Sequence, residues 1–142
     1  MLNRPLHGRR VFLVEDDYLI ADDFVRRLST AGAQVVGPAA TLESALALYE
    51  SAPPMDFVIL DINLRGTMVF PLAERLRDDG VPFLFCTGYG DEGIDSSFRE
   101  VERFEKPISQ ADFARMVDLV ACQQVAREQP APQVDRRSAQ WQ

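Results

Sequence analysis

Three short, unbroken apolar runs constrain this chain more than anything else in it: residues 11–14 (VFLV), 57–60 (FVIL) and 83–86 (FLFC). Runs this short, rich in β-branched and aromatic residues and lacking any polar alternation, suit strands covered on both faces. Between them the period changes. Leu19, Ile20, Ala21, Phe24, Val25 and Leu28 recur at three- and four-residue spacing, so residues 18–28 read as an amphipathic helix with Asp17 as its cap and Gly32 beyond its end. Strands buried on both faces and separated by helices leave few solutions. The chain is expected to form an α/β domain with a mainly parallel sheet, helices on both faces and right-handed crossovers.

The alternation continues. Residues 34–36 read as a short strand, and 41–51 as a helix with Thr41 at its cap and Glu43 near it, broken by Pro53-Pro54. Residues 69–77 read as a helix that stops at Asp79-Gly80. The segment 90–99 (GDEGIDSSFR) is weak for any element, because Gly90 and Gly93 each lower helix propensity by about 1 kcal/mol relative to Ala. A fifth strand over 102–105 meets Lys106-Pro107, and Ser109 caps a last helix whose apolar positions are Phe113, Met116, Val117, Val120 and Ala121. Residues after Cys122 turn rich in Gln, Pro and charge. They read as a disordered tail in which Trp141 is a lone aromatic.

A chain of 142 residues, 46% hydrophobic and 26% charged, is one globular domain by length and composition. Fifteen basic against 22 acidic residues give a net charge of −7, the wrong sign for affinity built on phosphate neutralisation, so direct nucleic-acid binding is not expected. No run approaches the roughly 20 apolar residues of a membrane span, and the first ten residues lack the apolar core of a signal peptide. Cys86 and Cys122 form neither a disulfide framework nor a zinc spacing, and both read as small core residues in a reducing cytoplasm. His7 sits in a basic N-terminus expected to fray, and is not read as a ligand or phosphate carrier.

In a parallel sheet, ligands gather at the carboxyl ends of the strands. There stand Glu15, Asp16 and Asp17 after the first strand, Asp61 after the third, Thr87-Gly88 after the fourth and Lys106 after the fifth. Three carboxylates converging on one edge need a positive partner, since two like charges about 4 Å apart repel by roughly 4 kcal/mol at an effective dielectric of 20. Lys106 is one candidate and a hard divalent cation, with Mg²⁺ favoured, is the other. An aspartate beside a Lewis acid, a lysine and a hydroxyl suits nucleophilic attack on a phosphoryl group. In that picture Asp61 attacks, Glu15 and Asp16 hold the metal, Lys106 and Thr87 bind phosphoryl oxygens, and Gly88 leaves access open.

The stretches VFLVEDD (11–17), FVILDINLRG (57–66), PFLFCTGYG (82–90) and EKPI (105–108) resemble, in order and approximate spacing, the receiver domains of two-component response regulators. The resemblance covers about residues 9–124, with 1–8 an extension and 125–142 the tail. It implies a flavodoxin-like, doubly wound five-stranded parallel sheet in the order 2-1-3-4-5. It also implies that Asp61 accepts a phosphoryl group from a histidine kinase or a small phosphodonor, with Mg²⁺ (Mn²⁺ as a substitute) held by Glu15, Asp16, Asp61 and the backbone carbonyl of Asn63. By the same resemblance Thr87 is the switch hydroxyl, Lys106 the family lysine, and the side chains of Asn63 and Tyr89 tune loss of the phosphoryl group. Arg103 departs from the family, standing where receivers commonly carry an aromatic switch residue, with Phe104 beside it. The TGY and NLRG stretches are similar to stand-alone receivers of alphaproteobacterial stress signalling.

Taken singly, each feature has a blander reading: Asp17 as a helix cap, Glu15, Asp16 and Asp61 as caps or turn residues, Thr87-Gly88 as a turn, Lys106 as a solvated lysine. Only their convergence points to chemistry. Three functions follow. The first is a cytoplasmic signalling switch without an output domain of its own, acting by protein contact or phosphorelay to a histidine phosphotransfer protein. Its partner face would comprise residues 90–99, the fifth strand and the last helix, and homodimerisation through it is left open. The second is a small Mg²⁺-dependent phosphatase, disfavoured because Asn63 stands where such an enzyme places its second acid. The third is a pseudo-receiver that binds partners but ignores phosphate.

Overall fold

The computed structural model describes residues 4–88 and 96–123. Five strands, β1 (Arg10–Val14), β2 (Gln34–Ala39), β3 (Phe57–Asp61), β6 (Phe83–Thr87) and β7 (Arg103–Glu105), form one parallel sheet in the order β2-β1-β3-β6-β7. Two further strands, β4 (Asn63–Leu64) and β5 (Thr67–Met68), form a small antiparallel hairpin apart from it. The main sheet therefore has the expected order 2-1-3-4-5. Among the described residues the helices are α1 (Tyr18–Thr30), α2 (Leu42–Ser51), α3 (Phe70–Asp78) and α4 (Gln110–Ala121), with a 3₁₀ turn at Ser96–Phe98.

The unbroken apolar runs divide between the two faces as a pleated strand requires. Phe12, Val14, Val58, Leu60 and Phe85 pack on Ala45 of α2, on Leu72, Ala73 and Leu76 of α3, and on Phe98. Val11, Leu13, Ile59, Leu84, Cys86 and Phe104 pack on Ala21, Phe24 and Leu28 of α1 and on Met116 and Val120 of α4. Three of these helices start at a side chain that accepts hydrogen bonds, whereas α3 starts after Val69 with no side-chain cap and with Pro71 in its first turn. Asp17 accepts from the Leu19 and Ile20 N–H groups, and Ser109 from Asp112. Thr41 caps α2, but its reciprocal partner is the hydroxyl of Ser44 rather than a group from Glu43.

Four expectations need correction. The second strand runs on to Ala39, because β2 is an edge strand where Pro38 removes no needed donor. Gly37, at φ 94°, lets it bulge close to the Leu13 carbonyl, where a Cβ would come within 2.7 Å of that oxygen. The β4–β5 hairpin is unforeseen, since two-residue strands carry no readable period. Cys86 is a core residue as expected, but Cys122 is exposed, because it caps the C-terminus of α4 where that helix leaves the sheet. The N-terminus does not fray from Arg4 onward. The Leu6 N–H donates to the Ala31 carbonyl at 2.8 Å and the Leu6 side chain is fully buried beside Phe24 and Leu28, while His7 is exposed.

Of the weak segment 90–99, only residues from Ser96 onward lie among those described. Tyr89, Gly90, Gly93 and the tail with Trp141 lie outside them. Leu6 closes the bottom of the α1 face, so Leu6→Ala is expected to lower the unfolding free energy by about 2–5 kcal/mol. Urea denaturation measures this, and a loss under about 0.5 kcal/mol, the size of an ordinary surface change, would show that the N-terminal turn contributes nothing to the core.

Candidate functional site

The chain leaves β1 through α1 to reach β2 on one side, whereas β3 lies on the other side, so strand order reverses between β1 and β3. A crevice opens at such a point, outside the carboxyl ends of the strands. Glu15 and Asp16 follow β1, Asp61 is the last residue of β3, Thr87 the last of β6, and Lys106 follows β7. The Lys106 N–H donates to the Thr87 carbonyl at 2.8 Å, which continues the β6–β7 pairing past the strand and brings the lysine back over β3.

The Lys106 ammonium then bridges two carboxylates, with Nζ 2.7 Å from Glu15 Oε1 and 3.0 Å from Asp61 Oδ2. Both acids are buried, with Glu15 only 2% and Asp61 4% exposed, so solvent screens these pairs little. Asp16 completes the group. One oxygen from each of Glu15, Asp16 and Asp61 lies within 4.8 Å of the others. Three carboxylates against one ammonium leave negative charge in excess, and hard, closely spaced oxygens of this kind fit a cation such as Mg²⁺.

Burial, and then the charge of Glu15, push the Asp61 carboxyl up from 3.8 to about 7 against the opposing pull of Lys106. Burial alone would lower Lys106, but its hydrogen bond to Glu15 and the charges of Asp61 and Glu15 hold it above its usual value, so it stays charged. Burial pushes the Cys86 thiol up to about 12, and it supplies no thiolate at neutral pH.

A cleft of about 300 Å³ lies over this cluster, lined by Asp16, Asp61, Asn63, Arg65, Gly66, Gly88 and Lys106. A larger groove of about 660 Å³ adjoins it between the start of α1 and the segment after β7, with Leu19, Ile20, Phe24, Pro107 and Ile108 among its walls. Tyr18 and Leu19 are 81% and 76% exposed at the start of α1.

The structure thus brings Glu15, Asp16, Asp61 and Lys106 into one cluster, with Gly88 at its mouth and Thr87 buried at the adjoining strand end. Asp17 is the cap of α1, although its N–H also donates to Glu15 Oε2 at 3.0 Å. Asn63 lines the cleft and its N–H donates to Asp61 Oδ1 at 3.2 Å, but its side-chain oxygen accepts the Gly66 N–H at 2.6 Å and is committed to the hairpin. Arg103 is exposed, and the aromatic of β7, Phe104, packs inward with Met116 and Val120, away from any outward switch position.

Arg65 is a residue that sequence reasoning passed over. Its Nε lies 3.6 Å from Asp16 Oδ2 and its Nη2 donates to the Asp16 carbonyl at 3.3 Å. The readable signal was an Arg-Gly pair where a tight hairpin prefers Asn-Gly.

The sequence profile described as the response regulator receiver domain matches residues 11–118. No curated protein sequence matches the chain. Among solved structures, SdrG from Sphingomonas melonis Fr1 is 34% identical with a TM-score of 0.71, over 79% of this chain and 95% of SdrG. The BeF3-activated conformation of SdrG, from Pseudomonas melonis Fr1, is 33% identical with a TM-score of 0.67, over 85% of this chain and 99% of that one. PhyR from Brucella abortus is 28% identical with a TM-score of 0.62, and the match spans 82% of this chain but about half, 49%, of PhyR.

Because Asp61 holds its proton more tightly when folded, its own contribution to stability in metal-free buffer is full below about pH 4 and is lost as pH rises through about 7. Asp61→Asn removes that loss. Its stability advantage should grow by on the order of 1–3 kcal/mol between pH 5 and pH 8, read from urea melts in EDTA, whereas a constant difference would mean that Lys106 already neutralises Asp61 throughout.

Proposed function

The chain belongs to the response regulator receiver family, and from that premise we propose that it is a phosphorylation-driven signalling switch whose phosphoacceptor is Asp61. The observation that carries this reading is the Lys106 ammonium bridging the buried acids Glu15 and Asp61 beside Asp16, at the strand-order reversal. A buried carboxylate held by a fixed cation, with its cleft open to solvent, is oriented for in-line attack. An Asp61 oxygen forms a bond to the donor phosphorus while the P–N bond of a phosphohistidine breaks. The electron pair leaves with the imidazole, and the product on this chain is an aspartyl phosphate.

Glu15, Asp16 and Asp61, with the backbone carbonyl of Asn63, are the groups that would hold Mg²⁺, or Mn²⁺ in its place. A bound divalent cation supplies charge neutralisation to the phosphoryl oxygens. Lys106 remains charged and offers a second positive partner to those oxygens. Thr87 and Gly88, at the end of β6, are the hydroxyl and the backbone assigned to the same phosphoryl group, and Tyr89 is assigned to tuning its loss.

Receivers are switches rather than turnover catalysts, and the hairpin supports that here. The residue two beyond Asp61 is Asn63, whose side-chain oxygen is bound to Gly66 and which carries no acid proton for a leaving group. The donor assigned is a histidine kinase, reaching the cleft across the apolar groove beside Tyr18 and Leu19, and the phosphorylated form acts by protein contact or by relay to a histidine phosphotransfer protein. The functional unit assigned is residues 9–124. Among the described residues no helix is long and apolar enough to cross a membrane.

Incubation with acetyl phosphate and Mg²⁺ should add the mass of one phosphoryl group to the intact chain, and Asp61→Ala or EDTA should abolish the gain. A wild-type chain that gains no mass from acetyl phosphate or from phosphorylated histidine kinases would overturn the reading in favour of a phosphate-blind binding module.

A further inference from the structure

The β4–β5 hairpin turns through Arg65 and Gly66, whose φ values are 54° and 94°. Two consecutive positive φ angles are the demand of a type I′ turn, which Asn-Gly or Gly-Gly meets with least strain. Among the described residues Arg65 is the one non-glycine residue in that conformation. A long side chain held in a disfavoured backbone region at a site's edge is a local conflict that function can explain. Packing does not explain it, because the Arg65 side chain is 77% exposed.

What the position does provide is reach. The guanidinium extends from the hairpin to Asp16, with Nε 3.6 Å from Oδ2 and Nη2 3.3 Å from the backbone carbonyl. Asp16 is the one acid of the cluster that Lys106 does not pair. The two cations thus divide the three carboxylates: Lys106 inside on Glu15 and Asp61, Arg65 outside on Asp16.

We propose that Arg65 is a resident counter-charge of Asp16 that an incoming divalent cation must displace, so that this arginine sets the metal affinity of the site. The inference rests on the metal reading of the cluster given above. A cation held by Asp16 would cost the site the Arg65–Asp16 pair, whose guanidinium already supplies positive charge to that carboxylate. The anchoring of Lys106 by two buried acids makes it a permanent part of the site, whereas Arg65 is solvent-exposed and free to leave at little cost in packing.

Isothermal titration of the full chain with MgCl₂ tests this in wild type, Arg65→Asn and Arg65→Lys. Asparagine removes the charge and suits the turn, so that variant folds, and its metal-free Tm checks that it does. At low ionic strength Arg65→Asn should bind Mg²⁺ roughly three- to tenfold more tightly than wild type, while Arg65→Lys stays within about twofold. Because the pair is exposed, the gain should shrink as NaCl is raised. Wild-type binding with an Arg65→Asn affinity equal to or weaker than it overturns the inference alone, as does equal tightening in Arg65→Lys, which would assign the effect to turn geometry rather than charge. An absence of Mg²⁺ binding in all three proteins overturns the metal reading and this inference with it.

Discussion

One ammonium group holds this site together. The parallel sheet delivers Glu15, Asp16 and Asp61 to one point at the carboxyl ends of β1 and β3, and without a cation their mutual repulsion would oppose the strand pairing that brings them there. Lys106 resolves the conflict only because β7 pairs with β6 one residue beyond its own end, through the bond from the Lys106 N–H to the Thr87 carbonyl. The position of a short edge strand thus governs the charge balance of the centre. Buried ion pairs of this kind are weak evidence for stability, since desolvation offsets much of the attraction. Their presence at the carboxyl ends of an apolar sheet, beneath an open cleft, is better explained by what the charges do.

What they do follows from unequal treatment of similar groups. Asp61 is buried and faces Glu15, so its carboxyl is shifted up to about 7, while Lys106 is held charged by the same two neighbours. The cluster as a whole is short of positive charge, and two devices answer that shortage at different depths. Lys106 is fixed within the site. Arg65 lies at its mouth on a two-residue turn and reaches only Asp16. A divalent cation would complete the balance, and the open cleft with its adjoining groove leaves the cluster accessible.

Much of this was legible in the sequence, and the reasons are specific. Residues 11–14, 57–60 and 83–86 contain no polar residue and suit strands covered on both faces, so the acids and threonine at their ends, with the lysine after the fifth strand, fell on one edge. Asp17, Thr41 and Ser109 act as caps because short polar side chains before apolar periods have little else to do. The features that escaped depend on tertiary contact or on segments too short for a period. Leu6 is buried by the end of α1 rather than by its own neighbours, and Cys122 is exposed because α4 ends where it stands. The β4–β5 hairpin, which commits the Asn63 side chain and aims Arg65 at Asp16, consists of two residues on each side.

In the proposed function the carboxylate at the end of β3, and no other in the cluster, receives the phosphoryl group. Borohydride reduction of the freshly phosphorylated chain converts an aspartyl phosphate to homoserine, and tandem mass spectrometry of its peptides locates that residue. Homoserine at position 61, and at none of the neighbouring acidic positions, is the predicted result. Homoserine at position 16 or 17, or phosphate found on His7 instead, would contradict the account.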